Sequence, residues 1–163
     1  MRLAALFALW IIAAGPAAAQ TGDLPESSES YADDIKDFPV KLGDTYETVK
    51  RVYQTELEPI PFRGATEQGS SLRLKSRGVW FFFKRDGKIY TVRFDAPYPG
   101  AVGGVKIGDS LALLQKLRGN PIRTVPSPHP LIPRGLIYYL DDVITVRYNV
   151  NSQDLVETVF WFR

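Results

Sequence analysis

The single histidine of the chain, His129, has the most direct catalytic chemistry, since a histidine can act as the general base for a serine nucleophile. It lies in the segment PSPHPLIP, where four prolines stiffen the backbone and remove amide donors. This setting favours a solvent-exposed loop histidine over a catalytic base. The chain has no cysteine, and one histidine alone leaves no transition-metal site of the usual kind.

The acidic residues form no stronger catalytic pattern. Asp141 and Asp142 could suggest a calcium site, but adjacent acids are more typical of a tight hairpin turn. The sequence does not decide whether two carboxylates face each other across a cleft, as a glycosidase requires. We therefore predict a protein that is not an enzyme, with no catalytic residue, no metal site and no cofactor.

Residues suited to binding are more prominent than catalytic ones. The stretch VWFFF, Val79–Phe83, is bulky and apolar at every position, although the side chains of a strand alternate between its two faces. One face can pack against helices, which leaves the other as an apolar patch of the kind that marks interaction sites. In the next strand, Tyr90, Val92 and Phe94 are predicted on the core side and Arg93 on the opposite side.

We predict a partner-binding face that combines arginine with aromatic side chains, because these residue types dominate interface energetics. The alternative is that the aromatic residues form a core between two units of the fold. The connection from Gly119 to Gly135, which contains five prolines and His129, is a second candidate contact surface or else a spacer. Besides His129, the predicted binding residues are Arg73, Trp80, Phe82, Arg93, Tyr139, Arg147 and Phe160.

The elements that position these residues begin with a repeated phrase, VKLGDT at residues 40–45 and VKIGDS at residues 105–110. Asp, Ser and Thr are typical of helix N-termini, where their side-chain oxygens accept hydrogen bonds from unpaired amides. Apolar residues at helical spacing follow each copy, so we predict two short amphipathic helices. The apolar positions are Tyr46, Val49, Val52, Tyr53 and Leu57 after the first copy, and Leu111, Leu113, Leu114 and Leu117 after the second.

Each predicted helix is followed by three strand-like segments that are separated by turn residues. A second echo, Thr91–Phe94 and Thr158–Trp161, supports a duplication. The predicted fold class is α+β, with two tandem units that each consist of a helix and a three-stranded antiparallel sheet, and with the helices packed on one face of the sheets. The predicted strands are 72–75, 79–84 and 88–95 in the first unit, and 136–140, 143–150 and 155–162 in the second.

The second copy continues as GDSLALLQKLRGNP, from Gly108 through Gly119 to Pro121. This pattern resembles the glycine, hydroxyl cap, amphipathic helix and Gly-x-Pro signature of the SmpA/OmlA (BamE-like) outer-membrane assembly proteins. The tandem arrangement resembles the β-lactamase inhibitory protein. The resemblance implies a helix-plus-sheet fold that binds other proteins with an exposed sheet face. The chain departs from this pattern in two ways. Gln54 stands in the first copy where the second copy has Gly119, and the chain has no cysteine that could carry a lipid anchor.

The N-terminal region predicts export. Residues 1–19 have one basic residue, an apolar core from Leu3 to Ala14 and small residues up to Ala19, which is typical of a signal peptide cleaved after Ala19. A membrane anchor, the alternative, would need a longer apolar core. Residues 20–37 contain six acids and one base and predict a flexible acidic segment. The two units follow at 38–99 and 100–163.

These observations predict an exported periplasmic protein-binding module, in the first place an inhibitor or immunity-type protein that blocks a secreted enzyme or toxin. Its expected partner is another protein, with no nucleic acid and no stable membrane anchor. One alternative is a non-lipidated BamE-like scaffold in envelope assembly. Another is a hydrolase or small-ligand binder, which a buried polar cleft would favour.

Overall fold

The computed structural model describes residue 35 and residues 37–63, 68–126, 134–140 and 142–163. The two repeated phrases are each followed by an eight-residue helix, α1 (Tyr46–Tyr53) and α2 (Leu111–Arg118), and a short 3-10 helix spans Lys75–Arg77. The strands are β1 (Ile60–Arg63), β2 (Gln68–Leu74), β3 (Val79–Lys84), β4 (Ile89–Asp95), β5 (Ala101–Val102), β6 (Val105–Lys106), β7 (Arg123–Pro126), β8 (Arg134–Tyr139), β9 (Thr145–Val150) and β10 (Val156–Phe162).

Eight of these strands form one antiparallel sheet in the order β1-β2-β3-β4-β10-β9-β8-β7, and β5 and β6 form a separate hairpin. The prediction of an α+β fold made of two tandem helix-plus-three-strand units is therefore wrong. Strands β4 and β10 pair from Thr158↔Asp95 to Phe162↔Thr91, so the two halves of the chain share one hydrogen-bonded ladder. Each half contributes four strands to this single sheet, not three strands to a sheet of its own.

Strands β1 and β7 were missed because each contains a proline, Pro61 or Pro126, and was assigned to a connection between elements. In the described part of the chain they are the two edges of the sheet. Proline lacks the amide donor of an inner ladder and is tolerated at an edge. Short edge strands with proline also discourage pairing with other chains.

The repeated phrase makes the same contacts twice, at opposite ends of the central pair of strands. Gly43 donates its amide to the carbonyl of Ile89 at 2.8 Å, and the Ile89 amide donates to Asp44 at 2.8 Å. Gly108 donates to Val156 at 2.7 Å, and the Val156 amide donates to Asp109 at 2.8 Å. The first phrase pairs with the start of β4, beyond the end of β10. The second phrase pairs with the start of β10, beyond the end of β4.

One face of the sheet, which we call the core face, is buried. It includes Phe81, Phe94 and Trp161, and the ring of Phe38 packs against all three at centroid distances of 5.2 to 6.4 Å. Ile35 is also buried. The remaining residues of the predicted acidic segment, except Asp37, lie outside the described residues, as do residues 1–19, so the signal peptide and the flexible segment stay predictions.

A β-bulge changes the predicted faces at the start of β4. The register passes from Phe82↔Thr91 to Phe83↔Ile89, so Tyr90 is the extra residue of the bulged strand. Ile89 is consequently buried, whereas the ring of Tyr90 contacts Phe82 with centroids 6.5 Å apart. The prediction that Tyr90 lies on the core side is wrong, because strict alternation does not hold across a bulge.

Candidate binding face of the sheet

The second face of the sheet, which we call the open face, carries a row of alternating arginine and apolar residues. The row runs at right angles to the strands, and each member is the direct cross-strand partner of the next. Side chains in such positions have their Cβ atoms about 5 Å apart. From β2 to β7 the row consists of Arg73, Trp80, Arg93, Phe160, Arg147, Ile137 and Arg123, and we call it the arginine row.

The guanidinium groups of the row stack on its aromatic rings. Those of Arg73 and Arg93 lie 4.1 and 4.9 Å from the ring centroid of Trp80. Those of Arg93 and Arg147 lie 5.7 and 6.0 Å from the ring of Phe160. Each such cation–π contact contributes about 0.5 to 1 kcal/mol at an exposed site. The stacking also restricts the arginine rotamers, so the side chains present their N–H groups in a defined direction.

One carboxylate, Asp95, is built into this arrangement. It accepts a hydrogen bond from the indole N–H of Trp80 at 3.0 Å and forms an ion pair of 3.1 Å with Arg93. Asp95 therefore fixes the orientation of both side chains. The Nε of Arg93 is nevertheless buried without a hydrogen-bond partner. Arg93 is thus held in place by groups that do not use all of its donors.

Arg147 is held by an amide instead of an acid. Its Nε donates to Oδ1 of Asn149 at 2.7 Å, and Asn149 in turn donates to Thr158 at 3.2 Å. Burial lowers the pKa of Arg147, but guanidinium groups remain charged in proteins. Gly135 leaves room for this side chain, because a Cβ at position 135 would collide with Nε of Arg147 unless the arginine moved.

Three arginines of the row have no carboxylate partner among the described residues: Arg73, Arg123 and Arg147. The face therefore carries uncompensated positive charge on a partly apolar surface. Arginine donates paired hydrogen bonds to carboxylates in a fixed fork geometry. The row is chemically suited to a surface that bears several carboxylates.

A second row on the same face consists mainly of aromatic and hydroxyl residues. Phe82 lies in it opposite Ser71 and Thr91, and its ring stacks on Trp80 at 6.3 Å. Tyr139 lies at the far end, opposite Thr145, and is 64% exposed. The open face therefore has a patch of stacked rings near β3 and an isolated tyrosine near the β8 end.

The open face is concave. A cavity of about 380 Å³ is lined by residues of β3 and of β7, among them Phe82 and Val125. These strands are five strand spacings apart, about 24 Å in a flat sheet, so the sheet must curl to bring them round one cavity. The remaining lining residues are Tyr90, Thr91, Ile137, Arg147, Phe160 and Phe162.

The structure thus brings together seven of the eight predicted binding residues. Five of them belong to the arginine row, and Phe82 and Tyr139 lie in the neighbouring row. The alternative of an aromatic core between two units does not hold, because these rings lie on the open face of a shared sheet. His129 lies outside the described residues. Arg123 and Ile137 were missed as binding residues: Ile137 lies within the predicted strand 136–140, and Arg123 lies in a segment that was assigned to a connection.

No three His, Cys, Asp or Glu side chains of the described residues are grouped as ligands for a metal ion. Among the helices of the described ranges, none is long and apolar enough to span a membrane.

Comparison with known proteins supports the fold and corrects the resemblance. No protein-family model and no curated protein matches the chain. Among solved structures, it is similar to a DUF4309 family protein, YjgB, from Bacillus subtilis, with a TM-score of 0.53 and 13% identity over 81% of this chain and 91% of that one. A cysteine-rich secretory protein (SAV1118) from Staphylococcus aureus matches with a TM-score of 0.46 and 14% identity, over 74% of this chain and 42% of that one.

The likeness to YjgB shows the fold alone. Together with the single eight-stranded sheet, it contradicts the resemblance to a tandem BamE-like or β-lactamase inhibitory protein-like repeat. The quoted motif has a simpler local explanation. The Ser110 hydroxyl accepts a hydrogen bond from the amide of Leu113 at 3.2 Å, and Gly119 ends α2 with a positive φ of 70°. These are general helix-end features that many unrelated folds share.

Proposed function

We propose that the protein is an exported, non-enzymatic binding module of the inhibitor or immunity type, which blocks a secreted enzyme or toxin. The open face of the sheet would hold an acidic surface of that partner. The observation that carries the proposal is the arginine row, in which four arginines alternate with Trp80, Phe160 and Ile137 across seven strands. The BamE-like and β-lactamase inhibitory protein-like resemblances no longer support either this proposal or its alternative, a scaffold in envelope assembly, so the proposal rests on the chemistry of the open face.

The physical argument rests on preorganisation. A free arginine loses considerable rotamer entropy when it is ordered at an interface, and a stacked arginine has already lost part of it. Arginine and tryptophan are also the residues most often found as energetic anchors at the centre of interfaces. Because Asp95 and Asn149 orient Arg93 and Arg147 before any partner arrives, binding would require little rearrangement of the face.

The location in the periplasm is part of the same proposal. It is supported by the predicted signal peptide of residues 1–19. A chain without cysteine does not depend on disulfides for stability in an oxidising compartment. An exported binding module would meet secreted enzymes and toxins there.

The test is affinity capture with the mature chain, residues 20–163, from an extract of its own cell envelope, followed by mass spectrometry. Capture is repeated with Arg123→Glu/Arg147→Gln, which removes two row cations. The matched control is Lys106→Glu/Lys116→Gln, which makes the same charge change at exposed positions outside the open face. Circular dichroism confirms that all variants are folded.

We expect the wild type and the control to retain one enzyme or toxin in near-equal amount and to inhibit it. The row variant should bind that protein at least tenfold more weakly, since one anchor contributes about 2 kcal/mol. Equal capture by the row variant would contradict the assignment to this face. Recovery of no protein by the wild type would contradict the proposed function itself.

A further inference from the structure

A second candidate site lies at the edge of the sheet, where β1 is shorter than its neighbour. The ladder between β1 and β2 begins at Ile60↔Ser71, whereas β2 continues to Leu74. Beyond Ser71, β2 therefore has a neighbouring strand on the β3 side only. This leaves a short length of strand edge where another extended chain could pair.

Hydrogen bonds at the far side of β3 fix which backbone groups point to this edge. The amide of Asp95 donates to the carbonyl of Gly78 at 2.9 Å, so this carbonyl points to β4 and the amide of Val79, on the opposite side of the same peptide bond, points to β2. Backbone groups of successive residues in an antiparallel strand point to opposite sides. Trp80, two residues after Gly78, therefore bonds toward β4, and the odd-numbered residues beside it bond toward β2.

The same alternation continues into β2. Val79 and Phe81 bond to their register partners Leu74 and Leu72, which directs the backbone groups of those two leucines toward β3. Arg73 lies between them, so its amide and carbonyl point away from β3 and toward the open edge. None of the backbone hydrogen bonds of the described residues outside the regular elements involves Arg73.

The chain that precedes β1 does not fill this position. The carbonyl of Leu57 lies 3.0 Å from the hydroxyl of Tyr46, and the amide of Leu57 donates to the Thr55 hydroxyl at 3.2 Å. Residues 54–59 are thus attached to α1 and stand apart from β2. A cavity of about 740 Å³ lies between them, and we call it the edge cleft.

The charges in the edge cleft favour an anion. Arg73, Lys75 and Arg77 line it, and these three cations have no carboxylate partner among the described residues. The two acids of the facing segment are already engaged with α1. Glu56 forms an ion pair of 2.9 Å with Lys50, and Glu58 lies 3.3 Å from the hydroxyl of Tyr46. The apolar lining residues are Tyr53, Leu57, Ile60, Leu72, Leu74 and Trp80.

We propose that the edge cleft binds an extended peptide segment that adds a strand to β2, with an acidic residue opposite Arg73 and an apolar residue on each side of it. The pattern follows from strand geometry. A residue opposite Arg73 shares the face of its guanidinium group, whereas its neighbours lie opposite Leu72 and Leu74 and turn toward Tyr53. The edge cleft shares Arg73 and Trp80 with the arginine row, but the proposed function does not need the open strand edge or the rest of the cleft.

The first test is calorimetric titration of residues 20–163 with the peptide acetyl-Glu-Val-Glu-Val-Glu-amide. Two matched peptides serve as controls: one has an N-methyl group on the central Glu, and the other has Lys in place of every Glu. We expect each control to bind at least tenfold more weakly, because one lacks the central amide donor and the other has the wrong charge. No binding of the first peptide, or equal binding of the N-methylated one, would overturn the proposal.

The second test compares Arg73→Pro with Arg73→Ala. Both variants lack the guanidinium group, but only the proline variant lacks the amide donor at the edge. Because that amide has no partner in the sheet, proline should be tolerated and both variants should melt at similar temperatures. We expect the proline variant to bind the peptide about tenfold more weakly than the alanine variant, and equal affinities would contradict strand addition.

The proposed function and the edge site can be contradicted independently of each other. Arg123→Glu/Arg147→Gln lies outside the edge cleft and should leave the affinity for the peptide unchanged while it weakens capture of the partner protein. Loss of peptide binding in that variant would show that the peptide binds to the open face and would overturn the edge site. If Arg73→Pro does not fold, the N-methylated peptide still decides the question.

Discussion

The core face and the open face of the sheet use the same strands for opposite purposes. On β3, Phe81 is fully buried and contacts the rings of Phe38 and Tyr53, whereas its neighbour Phe82 is half-buried and lines a cavity. The side chains of the core face are buried in apolar contacts within the protein itself. The open face places arginines between aromatic rings, which packing alone does not require. This difference is the basis of our proposal that the open face contacts another molecule.

The largest expected effect is a loss of stability when a phenylalanine of the core face is replaced, with the adjacent phenylalanine of the open face as the comparison. Phe81→Ala leaves a cavity under Phe38 and should lower the free energy of unfolding by about 3 to 5 kcal/mol. Phe82→Ala removes a half-buried ring and should cost about 1 to 2 kcal/mol. Urea denaturation of both variants measures the difference. Equal losses would show that the two faces are equally packed.

The next effect sharpens the role of Gly135 on the open face. Gly135→Ala introduces a Cβ that collides with Arg147, and overpacking of this kind costs about 1 to 3 kcal/mol. Gly135→Ala should lower the free energy of unfolding less in the Arg147→Ala background than in the wild type. A double-mutant cycle by thermal denaturation measures the coupling. Strictly additive effects would mean that Gly135 does not make room for Arg147.

A smaller effect separates two tyrosines that lie on opposite faces. The hydroxyl of buried Tyr148 donates to the carbonyl of Val102 at 2.7 Å and so joins β9 to the β5–β6 hairpin. Tyr148→Phe should lower the free energy of unfolding by about 1 kcal/mol or more, since the carbonyl loses its partner. Tyr139→Phe is the control, because Tyr139 is mostly exposed. Similar stability of the two variants would contradict this account.

The smallest effect is confined to alkaline solution. Burial raises the pKa of Tyr53 to about 12, because the low-dielectric surroundings disfavour the phenolate. The folded state favours the neutral phenol of Tyr53. Its contribution to the free energy of unfolding is therefore complete below about pH 10 and is lost as the pH rises toward 12. Tyr53→Phe should remove the late step from a spectrophotometric tyrosine titration. An unchanged titration curve would contradict the assignment.

Much of the local structure could be predicted from the sequence. The predicted strand 79–84 coincides with β3, and the segment 155–162 contains β10. Dense β-branched and aromatic residues between turn signals specify such strands almost independently of their surroundings. The same alternation placed Arg73, Arg93 and Arg147 on the open face, because period-two patterning holds wherever no bulge interrupts the ladder.

The architecture could not be predicted in the same way. The pairing of β4 with β10 joins residues more than sixty positions apart, and nothing local distinguishes this single sheet from two separate ones. The repeat itself suggested two units, although its two copies serve the two ends of one central strand pair. Proline concealed β1 and β7, and the bulge at Tyr90 reversed a predicted face.

The most direct test of the central claim is chemical modification of arginines by phenylglyoxal in the free protein and in the complex with its captured partner. Mass spectrometry measures the modification rate at each site. Arg73, Arg123 and Arg147 should be protected in the complex, whereas the exposed Arg51 and Arg85, which lie outside the arginine row, should react at the same rate in both samples. Equal rates at the row arginines in both samples would contradict the assignment of the open face as the binding site.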